Sequence, residues 1–356
     1  MAYRLITAAA LLLGSAAFRA ELTRDGTIKQ HTDAKPRYNA DTCFKKAGVS
    51  SFISSNRKYW IHPKRRPSTS YSWTPTGGTR IEVPTAAAAR VALANHTIVV
   101  IGDSLSIQSY VSLAALLVCG DGDATRKGGG ASIRLPEYNI ELRHIDARFG
   151  IASSETAATG GAAWFVEKGK RKKMRSRGVK SQVFPWGKPG APPRGPDGVA
   201  KALRDFKDRE QVTYVVIYGH WFSSRRSDVS FYAKAGKAVA PGPKLYEQTT
   251  RVLSRELATG MTGTKQRAVF LGFPPIKNAK TGDVCSHDSK WSRAVQAGLA
   301  GFDAERHGVF FLDLECPLAR LPHSSYAYRS PGHRHLPGGP DLANAILLRF
   351  LARVNE

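Results

Sequence analysis

Acidic residues are scarce in this chain. Its 28 aspartates and glutamates stand against 53 lysines and arginines, for a formal charge of +25, and such a balance points to an anionic partner. Cysteine is sparse too. The four present, Cys43, Cys119, Cys285 and Cys316, never fall into Cys-x-x-Cys spacing, which argues against a zinc site built on thiolates. An even count suits an oxidising compartment, and Cys43 with Cys119 and Cys285 with Cys316 is a guessed connectivity. Beyond the first twenty residues no stretch is long and apolar enough to cross a bilayer, and no internal repeat is visible. With 42% apolar residues, disorder is excluded and a real core is expected.

The N-terminus has a layout of its own. Arg4 precedes the apolar run Leu5 to Leu13 and the small residues Gly14-Ser15-Ala16-Ala17, the pattern of a secretory signal peptide with a small-x-small cleavage site, or of a signal anchor. Residues 1–20 are assigned to it. That entry makes nucleic acid an unsuitable partner despite the charge, and leaves membrane contact only through the N-terminal anchor. An anionic polysaccharide fits the same electrostatics. The densest basic stretch runs from Glu167 to Lys180, with Lys168, Lys170, Arg171, Lys172, Lys173, Arg175, Arg177 and Lys180 against one acid, and is read as a basic loop at 166–181. Asn95-His96-Thr97 is a glycosylation sequon.

Residues 21–94, rich in Pro, Ser, Thr and basic residues, read as an irregular N-terminal lobe with little regular structure. From Asn95 to the end, strand and helix signals alternate. Strands are expected at Ile98 to Ile101, Asn139 to Ile145, Val212 to Ile217, Ala268 to Phe273 and Val309 to Leu312. Helices are expected at Ile107 to Val118, Val199 to Phe206, Lys244 to Leu257, Ser292 to His307 and Leu342 to Val354. Gly150 to Pro196 reads as a long loop. The alternation implies a three-layer α/β/α fold with a mainly parallel sheet, whose chemistry collects on loops at the carboxyl ends of the strands.

Three such loops carry chemistry. Gly102-Asp103-Ser104-Leu105 ends a buried strand and opens a helix. A Ser there either caps the helix or stands as a nucleophile beside helix N–H groups that can face an oxyanion. After Ile217 comes Tyr218-Gly219-His220-Trp221, where Gly219 can offer an N–H, His220 a hydrogen bond and Trp221 a face for a sugar ring. Before the last helix lies Ser330 to Asp341, with His333 and His335 as candidates for the base that a serine nucleophile needs. Those two histidines lack a third ligand of suitable spacing, so no metal is assigned.

In this order the three blocks resemble the trichome-birefringence-like polysaccharide O-acetyltransferases, in the PC-esterase branch of the SGNH/GDSL hydrolases. Glu137-Tyr138-Asn139-Ile140, Tyr71-Ser72-Trp73-Thr74-Pro75 and Leu336-Pro337-Gly338-Gly339-Pro340-Asp341 with Asn344 are similar to further family segments, so the resemblance covers about residues 60–356. It implies an SGNH-like fold, Ser104 as nucleophile and His333 as base. It also implies oxyanion donors in the N–H groups of Ser104 and Gly219, assisted by His220 or Gln108. No cofactor is implied, only an acetyl donor as co-substrate; with water as acceptor the same apparatus is an esterase. The expected setting is the Golgi lumen or the secreted state. The chain departs from the family where the triad acid should be, at Ser330, which leaves Asp341 or Asp313 as substitutes, or a Ser-His dyad, or a silent glycan-binding protein.

Overall fold

A computed structural model of the chain describes residues 18–19, 21–23, 25–31, 40–53, 70–119, 124–147, 164–167, 196–217, 229–232, 238–239, 242–272, 289–300, 302–322, 334, 336 and 338–354. In chain order the elements that matter here begin with β1 (Gly26–His31), α1 (Ala40–Lys46), β2 (Ser70–Pro75), β3 (Ile81–Glu82) and α2 (Ala86–Ala92). Next come β4 (Thr97–Gly102), α3 (Ser104–Cys119), β5 (Lys127–Gly129), β6 (Ser132–Leu135), β7 (Ile140–Asp146), β8 (Trp164–Glu167) and α4 (Pro196–Asp205). The remainder is β9 (Gln211–Ile217), β10 (Val229–Tyr232), β11 (Ala238–Val239), α5 (Pro243–Gly260), β12 (Lys265–Gly272), α6 (Lys290–Leu299), β13 (Val309–Asp313), α7 (Glu315–Ala319) and α8 (Gly339–Val354).

Seven strands form the main sheet in the order β13-β12-β9-β4-β7-β6-β5. β7, β4, β9, β12 and β13 are mutually parallel, while β6 and β5 close one edge antiparallel. Taken in chain order, the parallel strands stand 2-1-3-4-5, and the direction of winding reverses between β4 and β9. Both strands are buried nearly throughout, as strands covered on two faces must be. Alternation along them divides the core. Ile98, Val100, Val215 and Ile217 face one apolar cluster with α3 and α8, whereas Val99, Ile101, Val212, Tyr214 and Val216 face a second with α4, α5 and α6. The result is the expected three-layer α/β/α architecture.

Helix α3 differs from the helices around it. Thirteen of its sixteen residues are buried, because it lies between the sheet, α8 and the N-terminal segment, and the polar Ser106, Gln108, Ser109 and Ser112 are buried with the rest. It starts at Ser104, three residues before the apolar periodicity begins, since its first turn is polar and capped.

Several expectations are revised. The segment 21–94 carries an antiparallel sheet, β1-β2-β3, and Phe44, Tyr71, Trp73, Ile81 and Val83 join the α3-side core. Its strands escape pattern reading because β2 buries Tyr71, Ser72 and Trp73 in succession. The β5–β6 hairpin hides in Lys127-Gly128-Gly129-Gly130, where Gly128 and Gly130 take φ of +80° and +62°. The helix expected over Ser292 to His307 ends at Leu299, and a separate 3-10 turn, Glu305–His307, leads into β13. Cys43 and Cys119 are not bridged to one another: Cys43 is buried within α1, and Cys119 is the half-buried last residue of α3. Cys316 is disulfide-bonded, and Cys285 lies outside the described residues.

Residues 18–19 and 21–23 belong to the folded body. Arg19 pairs with Glu305 and lies over the Phe310 ring at 5.4 Å, and the Trp73 indole N–H donates to the Leu22 carbonyl at 2.7 Å. A leader ending at Ala17 leaves these contacts in place; one ending at residue 20 removes Arg19. Among the described residues no helix is long and apolar enough to cross a membrane.

Candidate active site

In an open parallel sheet a crevice forms outside the carboxyl ends of the two strands where winding reverses. Here those strands are β4 and β9, and Gly102-Asp103-Ser104 follows directly from β4. The turn is fastened to both neighbours. The Asp103 N–H donates to the Ile217 carbonyl at the end of β9, 3.2 Å away, and the Ala147 N–H beyond β7 donates to the Gly102 carbonyl at 2.9 Å. Gly102 has φ of +147°, and a Cβ there would lie 1.7 Å from the Ile217 carbonyl oxygen. Only glycine lets β4 turn this close to β9.

Asp103 is the helix cap. Its carbonyl accepts the Ile107 N–H at 3.2 Å, the first bond of α3, and its Oδ1 accepts the Leu105 N–H at 2.9 Å. Ser104 is therefore the first residue inside the helix rather than the cap, and capping does not account for it. Asp103, Leu105 and Ser106 are all buried while Ser104 is half-exposed at the helix N-terminus.

A second serine braces the turn from below. Ser106 Oγ lies 2.6 Å from the Asp103 carbonyl and 2.8 Å from His144 Nε2. Its single proton goes to the carbonyl, so His144 Nε2 carries a proton and donates to Ser106. His144 sits on β7 on the same face as Ile140 and Leu142, both in the α3-side core. An imidazole where strand alternation calls for an aliphatic residue was the available signal for this contact.

Four residues beyond Ser104 along α3, Gln108 is buried and grips a single distant residue. Its Nε2 donates to the Arg334 carbonyl at 2.7 Å, and its Oε1 accepts the Arg334 N–H at 3.2 Å. The Arg334 guanidinium in turn donates to the Leu318 carbonyl at 2.7 Å. Further down, Ser109 Oγ donates to Asn344 Oδ1 at 2.6 Å, and the Asn344 amide donates to the Ser109 carbonyl at 2.9 Å. Ser112 Oγ donates to Asp341 Oδ1 at 2.8 Å, and Asp341 Oδ2 accepts the Gly338 N–H. A ladder of buried polar contacts thus fixes the 334–344 block along the helix that begins with Ser104. The expectation that Gln108 assists at the oxyanion meets a different arrangement, an amide turned to the Arg334 backbone.

Neither substitute acid stands beside Ser104. Asp341 is bonded to Ser112, eight residues and about 12 Å along the helix from Ser104. Asp313 ends β13, the third strand from β4, roughly 14 Å across at ordinary strand spacing. Its Oδ2 accepts from Ser292 at 2.7 Å, and its Oδ1 accepts the Glu315 N–H at 3.0 Å. Ser292 Oγ also lies 2.7 Å from Glu315 Oε2. Burial holds the Glu315 carboxyl above its ordinary value and the Asp313 charge pushes it the same way, against hydrogen bonds from Ser289 and Ser292.

His333, Gly219, His220 and Trp221 lie outside the described residues, as do Ser330 and His335 and, apart from Glu167, the basic loop from 168 on. Chain connectivity still constrains them. His333 adjoins the gripped Arg334, and Gly219 follows Ile217 by two residues. Among the described residues no group of three His, Cys, Asp or Glu side chains is placed to hold a metal ion.

No protein-family model matches the chain, and no curated protein matches it. Among solved structures it is similar to an alpha/beta hydrolase enzyme from the metagenome of Lake Arreo, Spain, at 14% identity and a TM-score of 0.35, over 74% of this chain and 98% of that one. A likeness that slight transfers neither a strand order nor a residue role.

Proposed function

We propose that the chain is a serine acyl-transfer enzyme of the PC-esterase type, an O-acetyltransferase of secretory-pathway polysaccharide with Ser104 and His333 at its centre. The observation that carries this reading is the grip of Gln108 on Arg334. Ser104 and Gln108 are i and i+4 on one helix, with Cβ atoms about 5–6 Å apart, so Arg334 is held one turn from Ser104, and its neighbours in the sequence are His333 and His335.

In this reading His333 takes the Ser104 proton as Oγ bonds to the acetyl carbonyl carbon, and the oxyanion faces the N–H groups of Ser104 and Gly219, with His220 assisting. The donor's leaving group departs with that proton. His333 then removes a proton from a sugar hydroxyl, whose oxygen takes the acetyl and releases Ser104. Water in place of the sugar gives an acetylesterase. Trp221 supplies a stacking face for the glycan, and the basic residues from Lys168 to Lys180 favour one bearing uronate or sulfate groups. Replacing those residues by Ser should weaken glycan binding mainly at low salt.

One observation favours a second reading, a catalytically silent glycan-binding protein. Position 330 is Ser, and the two substitute acids, Asp313 and Asp341, are bonded to Ser292 and Ser112. A fluorophosphonate probe separates the two readings. Labelling of the wild type that is lost in Ser104→Ala supports the enzyme, and an unlabelled wild type supports the binding protein.

A further inference from the structure

We propose that Asn95 carries an N-linked glycan, at the end of the sheet opposite the Ser104 turn. The inference rests on the secretory entry that the proposed function includes, and is independent of the Ser-His chemistry. Asn95-His96-Thr97 is the one Asn-x-Ser/Thr sequence in the chain. The disulfide at Cys316 is a bond that an oxidising lumen makes and keeps.

The folded chain presents the acceptor and leaves it idle. Asn95 is exposed, in the turn between α2 and β4, with a left-handed φ of +62°. Its backbone N–H donates to the Tyr138 carbonyl at 2.9 Å, and its Oδ1 accepts from Asn139 Nδ2 at 3.1 Å. These contacts hold the side chain by its oxygen and leave Nδ2, the atom to which a glycan bonds, without a partner among the described residues. Ala92, Glu137 and Asn139 nearby are exposed as well. From there β4 runs six residues, about 20 Å, before the Ser104 turn. A bulky glycan suits such a surface and would leave the candidate active site uncovered.

The other half of the sequon is hidden. His96 and Thr97 are each 2% exposed, and Thr97 is paired on both sides, with Glu141 of β7 and Val212 of β9. A transferase must reach the Thr97 hydroxyl and the Asn95 amide together, so the folded chain is not its substrate. The order of synthesis supplies the window. His96 meets Thr213, 117 positions later, and at ~5–20 residues per second that partner is made about 6 to 23 s afterwards. Until then β4 lacks its neighbour on that side. In the transfer, Nδ2 bonds to the anomeric carbon of a polyprenyl-diphosphate-linked oligosaccharide. The bond from that carbon to the diphosphate oxygen breaks, the lipid diphosphate departs, and one Nδ2 proton is lost to base.

Translation of the full-length chain in the presence of endoplasmic-reticulum microsomes tests this. Protection from added protease reports entry, and digestion with a peptide N-glycosidase reports the glycan. The protected chain should carry one glycan, whose enzymatic release leaves deamidation confined to Asn95. That glycan should be absent from Asn95→Asp, which keeps tolerance of the left-handed turn, and from Thr97→Val, which keeps a β-branched residue in the strand. Thr97→Ser, which keeps a hydroxyl, should retain it. These readouts do not require a variant to fold. A protected chain with no glycan, or one whose glycan persists in Asn95→Asp, would overturn the proposal. A chain left open to the protease would instead overturn the secretory reading beneath it, and the glycan with it.

Discussion

The carbonyl oxygen of Ile217 occupies the place where a side chain on Gly102 would be. The two strands at the centre of the sheet, β4 and β9, meet there, and the Gly102-Asp103-Ser104 turn leaves from that contact. Gly102→Ala combines a 1.7 Å overlap with backbone and a φ of +147°. It should cost about 4 kcal/mol or more, in the exceptional range for one substitution, and the check is a denaturant midpoint or loss of soluble protein.

Asp103 should behave as a cap and not as a reacting group. Asp103→Ala removes the acceptor for the Leu105 N–H and should cost about 1–2 kcal/mol. Asp103→Asn, which can also cap, should recover most of it and label with a fluorophosphonate as wild type does. Stability and labelling measured side by side separate the two roles.

How far these residues could be read in advance differs by element. The strands β4 and β9 were legible because near-continuous β-branched runs leave little else for them to be, and Gly102-Asp103-Ser104 was legible as a turn because Gly and Asp bracket the helix start. Gln108 was not. Its chemistry allows many partners, and the contact it makes is with Arg334, 226 positions away in the chain. His144 escaped notice for a similar reason, since its partner Ser106 is 38 positions away. The β1–β2 pair was hidden because three successive residues of β2 are buried, which erases the alternation on which strand reading depends.

Acid should weaken the fold through His96. Burial, with the Arg267 charge adding, lowers its pKa from 6.5 to about 4, and its Nε2 lies 2.8 Å from Thr213 Oγ1. Between those values the unfolded chain binds the proton and the native one does not. Stability therefore falls as pH drops from 6.5 towards 4, by up to about 3 kcal/mol. His96→Gln should flatten this slope in urea titrations run at several pH values.

Glu315 should act in the opposite sense. Its native carboxyl titrates above the unfolded value of 4.5, so in that window the native state binds more protons and stability falls as pH rises. Glu315→Gln retains an acceptor for Ser289 and Ser292 and should remove the fall. The wild type alone shows the sum of the two slopes, which partly cancel, so the two variants must be compared.

The proposed function requires Ser104 to carry an acyl group between donor and acceptor. Trapping with an activated acetyl ester, followed by peptide mass mapping, reads this directly. The account predicts one acetyl group on the peptide containing Ser104, absent from Ser104→Ala and much reduced in His333→Ala. Acetylation elsewhere in the chain that persists in Ser104→Ala, with Ser104 itself unmodified, would contradict it.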